Sequence, residues 1–251
     1  MCVIFYQTKE QPLFTYDEIQ NAALTNPDGM GWMANVGGII KYKKGYFNVK
    51  RFYDDYVALR NDKNLVDIAL HFRIGTGSNV DVANCHPFPI TSVPKRIKSS
   101  QGHCDIGVMM NGIIGKSTKE YSDTALYVMN NLKAYYNHDR RFFLHFNKRT
   151  EMLFENEIYG CRFVLMCKDG TKLFGVGWSE YEDKGFVSNR YWIPKKITYN
   201  WYEYMYGNDD NTMFDSYDDY YWSRQKAKRF SKKNTEKRHK SYIDKLMEEV
   251  V

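Results

Sequence analysis

The sequence has no apolar run near the ~20 residues that a membrane-spanning helix requires. Its N-terminus also lacks the basic segment and apolar stretch of a secretory signal. The five cysteines are an odd number and contain no Cys-x-x-Cys spacing. These absences favour a reduced cytoplasmic protein over a disulfide-stabilised one, and they predict no membrane partner.

Metal motifs are also scarce. The pairs Cys85-His86 and His103-Cys104 come closest, but adjacent side chains seldom chelate one ion well. Cys161 and Cys167 are six residues apart, so on a strand they would share one face and serve as core thiols. We therefore predict no metal site and no cofactor.

Positive charge is concentrated near the C-terminus. The segment 224–240 carries nine Lys or Arg and one Glu, while the whole chain has a net charge of +6. Such a run can contact nucleic-acid phosphates, but it is more often a solvated helix face or a disordered arm. Nucleic acid is therefore the less favoured partner.

Apolar runs and turn residues alternate through the first 195 residues and predict an α+β fold. Residues 2–7 predict a buried strand, and 31–36 and 39–43 predict a hairpin around Gly37-Gly38. The clearest helix is predicted over 122–136. Further strands are predicted over 66–74, 106–110, 162–167, 171–178 and 185–188, and further helices over 16–24 and 47–60.

The composition changes after Pro194. An aromatic and acidic segment over 201–222 is followed by the basic run and by a short amphipathic helix near the C-terminus. We predict a globular domain over residues 1–195 and an extension over 196–251. The extension would dock a partner protein or a second copy of the chain.

Cys2 follows Met1, and a small second residue permits removal of the initiator methionine. Removal would leave a thiol nucleophile and a free α-amine on one residue, with the amine as general base. The alternative is structural, since free cysteines are often buried and Cys2 would open the first strand.

Asn111-Gly112 follows a hydrophobic strand. The pair favours a tight hairpin turn, and it could also form an oxyanion hole from the Asn amide and the Gly N–H. The sequence alone leaves both interpretations open.

Two charged residues could recognise an amino acid. Arg73 ends a predicted strand on the same face as His71, and it could clamp a carboxylate or form a surface ion pair. The Gly75-Thr76-Gly77 loop would add backbone donors. Asp123 could cap a helix, pair with an ammonium group, or do both.

The order of these motifs resembles that of class II glutamine amidotransferases, which are N-terminal-nucleophile (Ntn) hydrolases. The resemblance, to a small stand-alone type, covers residues 2 to about 190 and implies a four-layer αββα sandwich of two antiparallel sheets. The motifs that carry it are Cys2, Asn26-Pro27-Asp28-Gly29-Met30-Gly31, His71-Phe72-Arg73-Ile74-Gly75-Thr76, Asn84-Cys85-His86-Pro87-Phe88, Asn111-Gly112 and Ser122-Asp123-Thr124.

The resemblance implies hydrolysis of the glutamine side-chain amide to glutamate and ammonia. It assigns the nucleophile to Cys2, the oxyanion hole to Asn111 and Gly112, and the substrate's carboxylate and ammonium to Arg73 and Asp123. The remaining residues that it implies are Gly75, Thr76 and Gly77 in the substrate pocket and Asn26, Asp28, Gly29, His71 and His86 as supporting residues.

The chain departs from the family pattern at three places. Thr25-Asn26 replaces Arg-Gly, Met110 replaces His, and Gly77-Ser78 replaces the usual residues after Thr76. The segment 196–251 is too short to be the synthase domain to which family members are commonly fused. Three functions remain open: a glutaminase that supplies a separate ammonia-accepting synthase, a hydrolase of another γ-glutamyl amide or peptide, and a non-catalytic binding or assembly protein.

Overall fold

The structure is a computed structural model, and it describes residues 1–194. The extension predicted over 196–251 lies outside the described residues. Residues 1–194 have an α+β fold with two antiparallel sheets and several helices. No helix in this part of the chain combines the length and apolar character needed to cross a bilayer.

Seven strands form the larger sheet and four form the smaller one. The strands are β1 (Val3–Thr8), β2 (Met30–Val36), β3 (Ile39–Tyr46), β4 (Leu65–Phe72), β5 (Phe88–Pro89), β6 (Gln101–Cys104), β7 (Ile106–Asn111), β8 (Arg162–Cys167), β9 (Gly170–Phe174), β10 (Ser179–Glu180) and β11 (Phe186–Val187). The larger sheet has the order β10-β11-β1-β4-β2-β3-β6, and the smaller has the order β5-β7-β8-β9. All neighbouring strands in both sheets are antiparallel.

Polar side chains cap most of the longer helices. Thr15 and Glu18 form a capping box at the first helix, and Asn48, Ser122 and Asn147 accept backbone N–H groups at later ones. The helices are α1 (Tyr16–Thr25), α2 (Val49–Arg60), α3 (Pro94–Ile97), α4 (Asp123–Tyr127), α5 (Lys133–His138) and α6 (Lys148–Glu157), and a π-helical segment over Val128–Leu132 joins α4 to α5.

Alternate residues of β1 face different cores. Ile4 packs with Met33 of β2 and Val164 of β8, in an apolar layer between the two sheets. Val3 and Phe5 point the other way and pack with buried residues of α1 and α2. One face of the larger sheet therefore meets the smaller sheet, and its other face meets helices.

The smaller sheet shows the same alternation. Val164 and Met166 of β8 face the layer between the sheets. Phe163 and Leu165 pack on the other side with residues from α4, the π-helical segment and α6. This arrangement of helices and sheets is compatible with the predicted four-layer sandwich.

The predicted elements mostly exist, with different bounds. The hairpin at Gly37-Gly38 is confirmed, and both glycines have positive φ. The strand predicted over 171–178 ends at Phe174, because Gly175 turns the chain with φ of 87°. The single helix predicted over 122–136 is interrupted by the π-helical segment.

Candidate active site

A cavity of about 340 Å³ collects most of the predicted site residues. Seven of them line it: Cys2, Arg73, Gly75, Thr76, His86, Gly112 and Asp123. The other predicted residues, Asn26, Asp28, Gly29, His71, Gly77 and Asn111, do not belong to its lining. Met1 also lines the cavity, directly before the proposed nucleophile.

Cys2 is held from two sides. The Ile74 N–H donates to the Cys2 Sγ across 3.4 Å, and the Asn189 side-chain amide donates to the Cys2 carbonyl oxygen across 2.7 Å. Burial raises the pKa of the Cys2 thiol. The Ile74 N–H, the α-amine of Met1 and Arg73 each lower this pKa, but by less than burial raises it. The thiol therefore stays protonated near neutral pH and needs a base to become a nucleophile.

Arg73 is a buried cation that donates hydrogen bonds to its own loop. Its Nη2 donates to the Ser78 hydroxyl across 2.9 Å and to the Asn79 carbonyl oxygen across 3.2 Å. Among residues 1–194 it forms no ion pair within 4.0 Å. Because a buried unpaired charge is costly, this guanidinium is suited to an anionic ligand.

Asp28 fixes the loop that follows Arg73. Its backbone N–H donates to the Arg73 carbonyl oxygen across 2.9 Å, and its Oδ2 accepts the Gly75 N–H across 2.8 Å. Gly29 completes this contact, since its carbonyl oxygen accepts the Arg73 N–H. The predicted supporting role of this turn thus has a direct geometric basis.

Asp123 presents a carboxylate at the start of α4. Its Oδ2 accepts the Ile114 N–H and its Oδ1 accepts the Thr124 N–H, across 2.9 and 2.8 Å. Ser122 caps the helix by accepting the Ala125 N–H. The carboxylate makes no ion pair in the described part of the chain, so it can still accept bonds from an ammonium group.

The Asn111-Gly112 pair is not a hairpin turn. Asn111 ends β7, which pairs with β8, and Asn111 lies opposite Arg162. Gly112 has φ of 145°, and a side chain there would lie 2.7 Å from the Cys161 Sγ. Glycine is thus required where the backbone reaches the cavity.

The Asn111 side chain lies just outside the cavity lining. It is fully buried, and its Nδ2 is 2.9 Å from the Ser188 Oγ. Its Oδ1 has no partner in the described structure. The amide therefore has unused hydrogen-bonding capacity close to Gly112.

His86 lines the cavity and stacks on His71, with ring centroids 4.0 Å apart. His71 Nε2 donates to the Met110 carbonyl oxygen across 3.0 Å, because a carbonyl can only accept. Burial lowers the pKa of His71 to about 3 and also lowers the pKa of His86 well below its ordinary value. Both rings are therefore neutral near pH 7, which suits a supporting role.

The remaining predicted residues have structural contacts. Asn26 ends α1 by donating from its side chain to the Ala22 carbonyl oxygen across 3.1 Å. Gly77 lies against the next loop, where an added Cβ would meet the Ser117 Oγ at 2.2 Å. Cys85 packs beside the Gly29 turn, and burial raises the pKa of its thiol to about 11.

Sequence reasoning missed Ser188 and Asn189, which hold Ile4 and Cys2. They follow the two-residue strand β11, and no motif marks them. Only the pairing of β11 with β1 reveals their position.

No protein-family model matches the chain, and no curated protein matches it.

Proposed function

We propose that the chain is a class II glutamine amidotransferase with the Ntn-hydrolase fold, which hydrolyses the side-chain amide of glutamine. One observation carries the proposal: Cys2, Arg73 and Asp123 line a single cavity, and within residues 1–194 neither charged side chain forms an ion pair. A zwitterionic amino acid provides an opposite charge for each ionic group.

The reaction would begin with proton transfer from the Cys2 thiol to its own α-amine. The thiolate would attack the amide carbon, and the Gly112 N–H and the Asn111 amide would stabilise the oxyanion. Ammonia would leave with the transferred proton, and a thioester would remain. Water would then hydrolyse the thioester, releasing glutamate and restoring the thiol.

The fold class supports this proposal, although it does not identify the reaction. The two antiparallel sheets and their flanking helices are what an Ntn hydrolase requires. The mechanism needs no metal or cofactor. Released ammonia would pass to a separate synthase, and the expected compartment remains the cytoplasm.

Hydrolysis of another γ-glutamyl amide is the second candidate. Arg73 and Asp123 would hold the same γ-glutamyl head, while Ile113, 66% exposed on the cavity wall, leaves room for a substituent to reach solvent. Retention of Met1 would favour a non-catalytic role, because the α-amine of Cys2 is then not free.

The decisive experiment measures glutamate release from glutamine, with intact mass reporting whether Met1 is absent. Cys2→Ala keeps a small second residue but removes the nucleophile, so we expect a loss of at least about 10³-fold in kcat. Cys104→Ala is the matched control, because this half-buried thiol lies outside the cavity and its variant should stay active.

Three outcomes separate the candidates. If wild-type protein without Met1 releases no glutamate from either glutamine or γ-glutamyl peptides, amide hydrolysis is excluded. Faster turnover of γ-glutamyl peptides would favour the second candidate. Full activity in Cys2→Ala would disprove the assigned nucleophile.

A further inference from the structure

Ser188 occupies the junction between the nucleophile strand and the proposed oxyanion hole. Its backbone N–H donates to the Ile4 carbonyl oxygen across 2.9 Å, and its Oγ accepts the Ile4 N–H across 2.8 Å. Ile4 is two residues from Cys2, so the two side chains share a face of the chain. Ser188 thereby fixes the β1 backbone close to the nucleophile.

The same oxygen contacts the Asn111 amide across 2.9 Å, and both residues are fully buried. Asn111 lies between Met110 and Gly112, which line the cavity. One hydroxyl group therefore links β1 of the larger sheet to the end of β7 in the smaller sheet.

Hydrogen-bond chemistry favours one orientation of the amide. If the Asn111 Nδ2 donates to Ser188, the Ser188 Oγ accepts two N–H groups, one from Ile4 and one from Asn111. The hydroxyl proton of Ser188 then has no acceptor, and the Asn111 Oδ1 has no donor among the described residues. The opposite orientation lets the hydroxyl donate to Oδ1, so that only Nδ2 lacks a partner. Because each buried unsatisfied group costs free energy, the second orientation is the more stable.

We propose that Ser188 is a positioning residue that holds the Asn111 amide with its oxygen toward the hydroxyl. The Asn111 Nδ2 then remains free to donate to the developing oxyanion. This inference rests on the proposed amide hydrolysis, to which it adds the origin of the donor's orientation.

The first test compares Ser188→Ala with wild type. Loss of orientation should lower kcat about 10- to 100-fold, which approaches the effect of losing one oxyanion donor, and should change KM less than about twofold. Alkylation of Cys2 by iodoacetamide forms no oxyanion and should keep its wild-type rate, followed by mass spectrometry of the N-terminal peptide. Ser179→Ala on β10, outside the cavity, is the matched control.

A double-mutant cycle tests the coupling. In an Asn111→Ala background, Ser188→Ala should lower kcat by less than a further ~twofold, because the oriented amide is already absent. If the losses in kcat of the two single variants multiply in the double variant, the residues act independently and the proposal is overturned. The proposal is also overturned if Ser188→Ala lowers the alkylation rate of Cys2 as much as it lowers kcat, because the role of Ser188 is then merely structural.

A readout without turnover separates this proposal from the proposed function. The side-chain amide signals of Asn111, assigned in ¹⁵N spectra by their loss in Asn111→Ala, should shift or split in Ser188→Ala. Unchanged signals would refute the Ser188 role even in an active enzyme. Wild-type inactivity with shifted signals would instead refute only the hydrolase function.

Discussion

At the scale of single residues, burial and hydrogen bonds to the backbone do not by themselves identify a site residue. Arg73 and Arg60 are both buried, and both donate to backbone carbonyl oxygens. Only Arg73 lines the cavity. The same residue type therefore has a structural role at one position and a proposed binding role at the other.

Replacing Arg73 with Met should affect binding and stability differently. Loss of the charge pair with the substrate carboxylate should raise KM about 100-fold, the equivalent of about 2.7 kcal/mol. The free energy of unfolding should change by less than about 1 kcal/mol, because removal of a buried charge offsets the loss of the hydrogen bonds to Ser78 and Asn79. Steady-state kinetics and urea unfolding measure the two effects.

Arg60→Met is the control for this experiment. Arg60 donates to the Thr8 and Lys9 carbonyl oxygens across 2.6 and 3.0 Å, and none of these three residues lines the cavity. This variant should lose stability while KM stays within about twofold of wild type. An unchanged KM in Arg73→Met would contradict the assigned carboxylate contact.

The sequence predicted residue types better than residue orientations. Cys2, Arg73 and Asp123 were expected in one pocket because their chemistry matches one substrate, and they do line one cavity. Asn111 was also expected there, but its side chain lies outside the lining, beside Ser188. Such an orientation depends on contacts between residues 77 positions apart, which no local pattern records.

At the scale of elements, the start of helix α4 places one charged group of the site. Ser122 caps α4 and Asp123 is the first residue of that helix. The cap therefore fixes both the helix end and the carboxylate that would bind the substrate ammonium. The N-cap signal was readable in the sequence because the side chain and the helix start are adjacent.

Ser122→Ala should lower the free energy of unfolding by about 1 kcal/mol, through loss of the cap. Fraying of the first turn should also raise KM for glutamine about fivefold, the factor that corresponds to about 1 kcal/mol. Thr15→Ala removes the cap of α1, which lies outside the cavity, so it should cost similar stability without changing KM. Equal KM values in both variants would show that the α4 cap does not position Asp123.

Other elements could not be predicted because they lack a periodic apolar face. Helix α6 buries only Phe154 among its ten residues, so its sequence resembles a loop. The short strands β5 and β6 were also missed, as was the helix α3 that lies between them in the sequence. Elements this short form only when the rest of the fold places other elements beside them. The strand predicted over 185–188 is confirmed in part as β11, in which Val187 is buried and lies opposite Phe5 of β1.

At the scale of the whole molecule, His71 joins the two sheets. It belongs to β4 of the larger sheet, and its Nε2 donates to Met110 of β7 in the smaller sheet. Burial lowers the pKa of His71 to about 3 in the folded state, against about 6.5 in an unfolded chain. The unfolded state therefore binds more protons between these two pH values.

Stability should fall as the pH decreases from about 6.5 toward 3, with a contribution from His71 of up to about 1.4 kcal/mol per pH unit. His71→Gln keeps an N–H donor but does not titrate, so its stability should depend less steeply on pH over this range. His103→Gln, at an exposed position on β6, should keep the wild-type slope. Urea unfolding at several pH values measures how the free energy of unfolding depends on pH. If this dependence is equally steep in wild type and both variants, His71 is not the titrating group.

The contact between Asn189 and Cys2 joins residues 187 positions apart, and it has a consequence for biosynthesis. A ribosome makes the strand of the nucleophile first and the residues that secure it last. Until residue 189 has emerged, β1 lacks its β11 neighbour, and neither Ser188 nor Asn189 can bind it. The nascent chain would therefore carry the Cys2 thiol without a completed site, and the proposed hydrolysis could begin only after residue 189 has been synthesised.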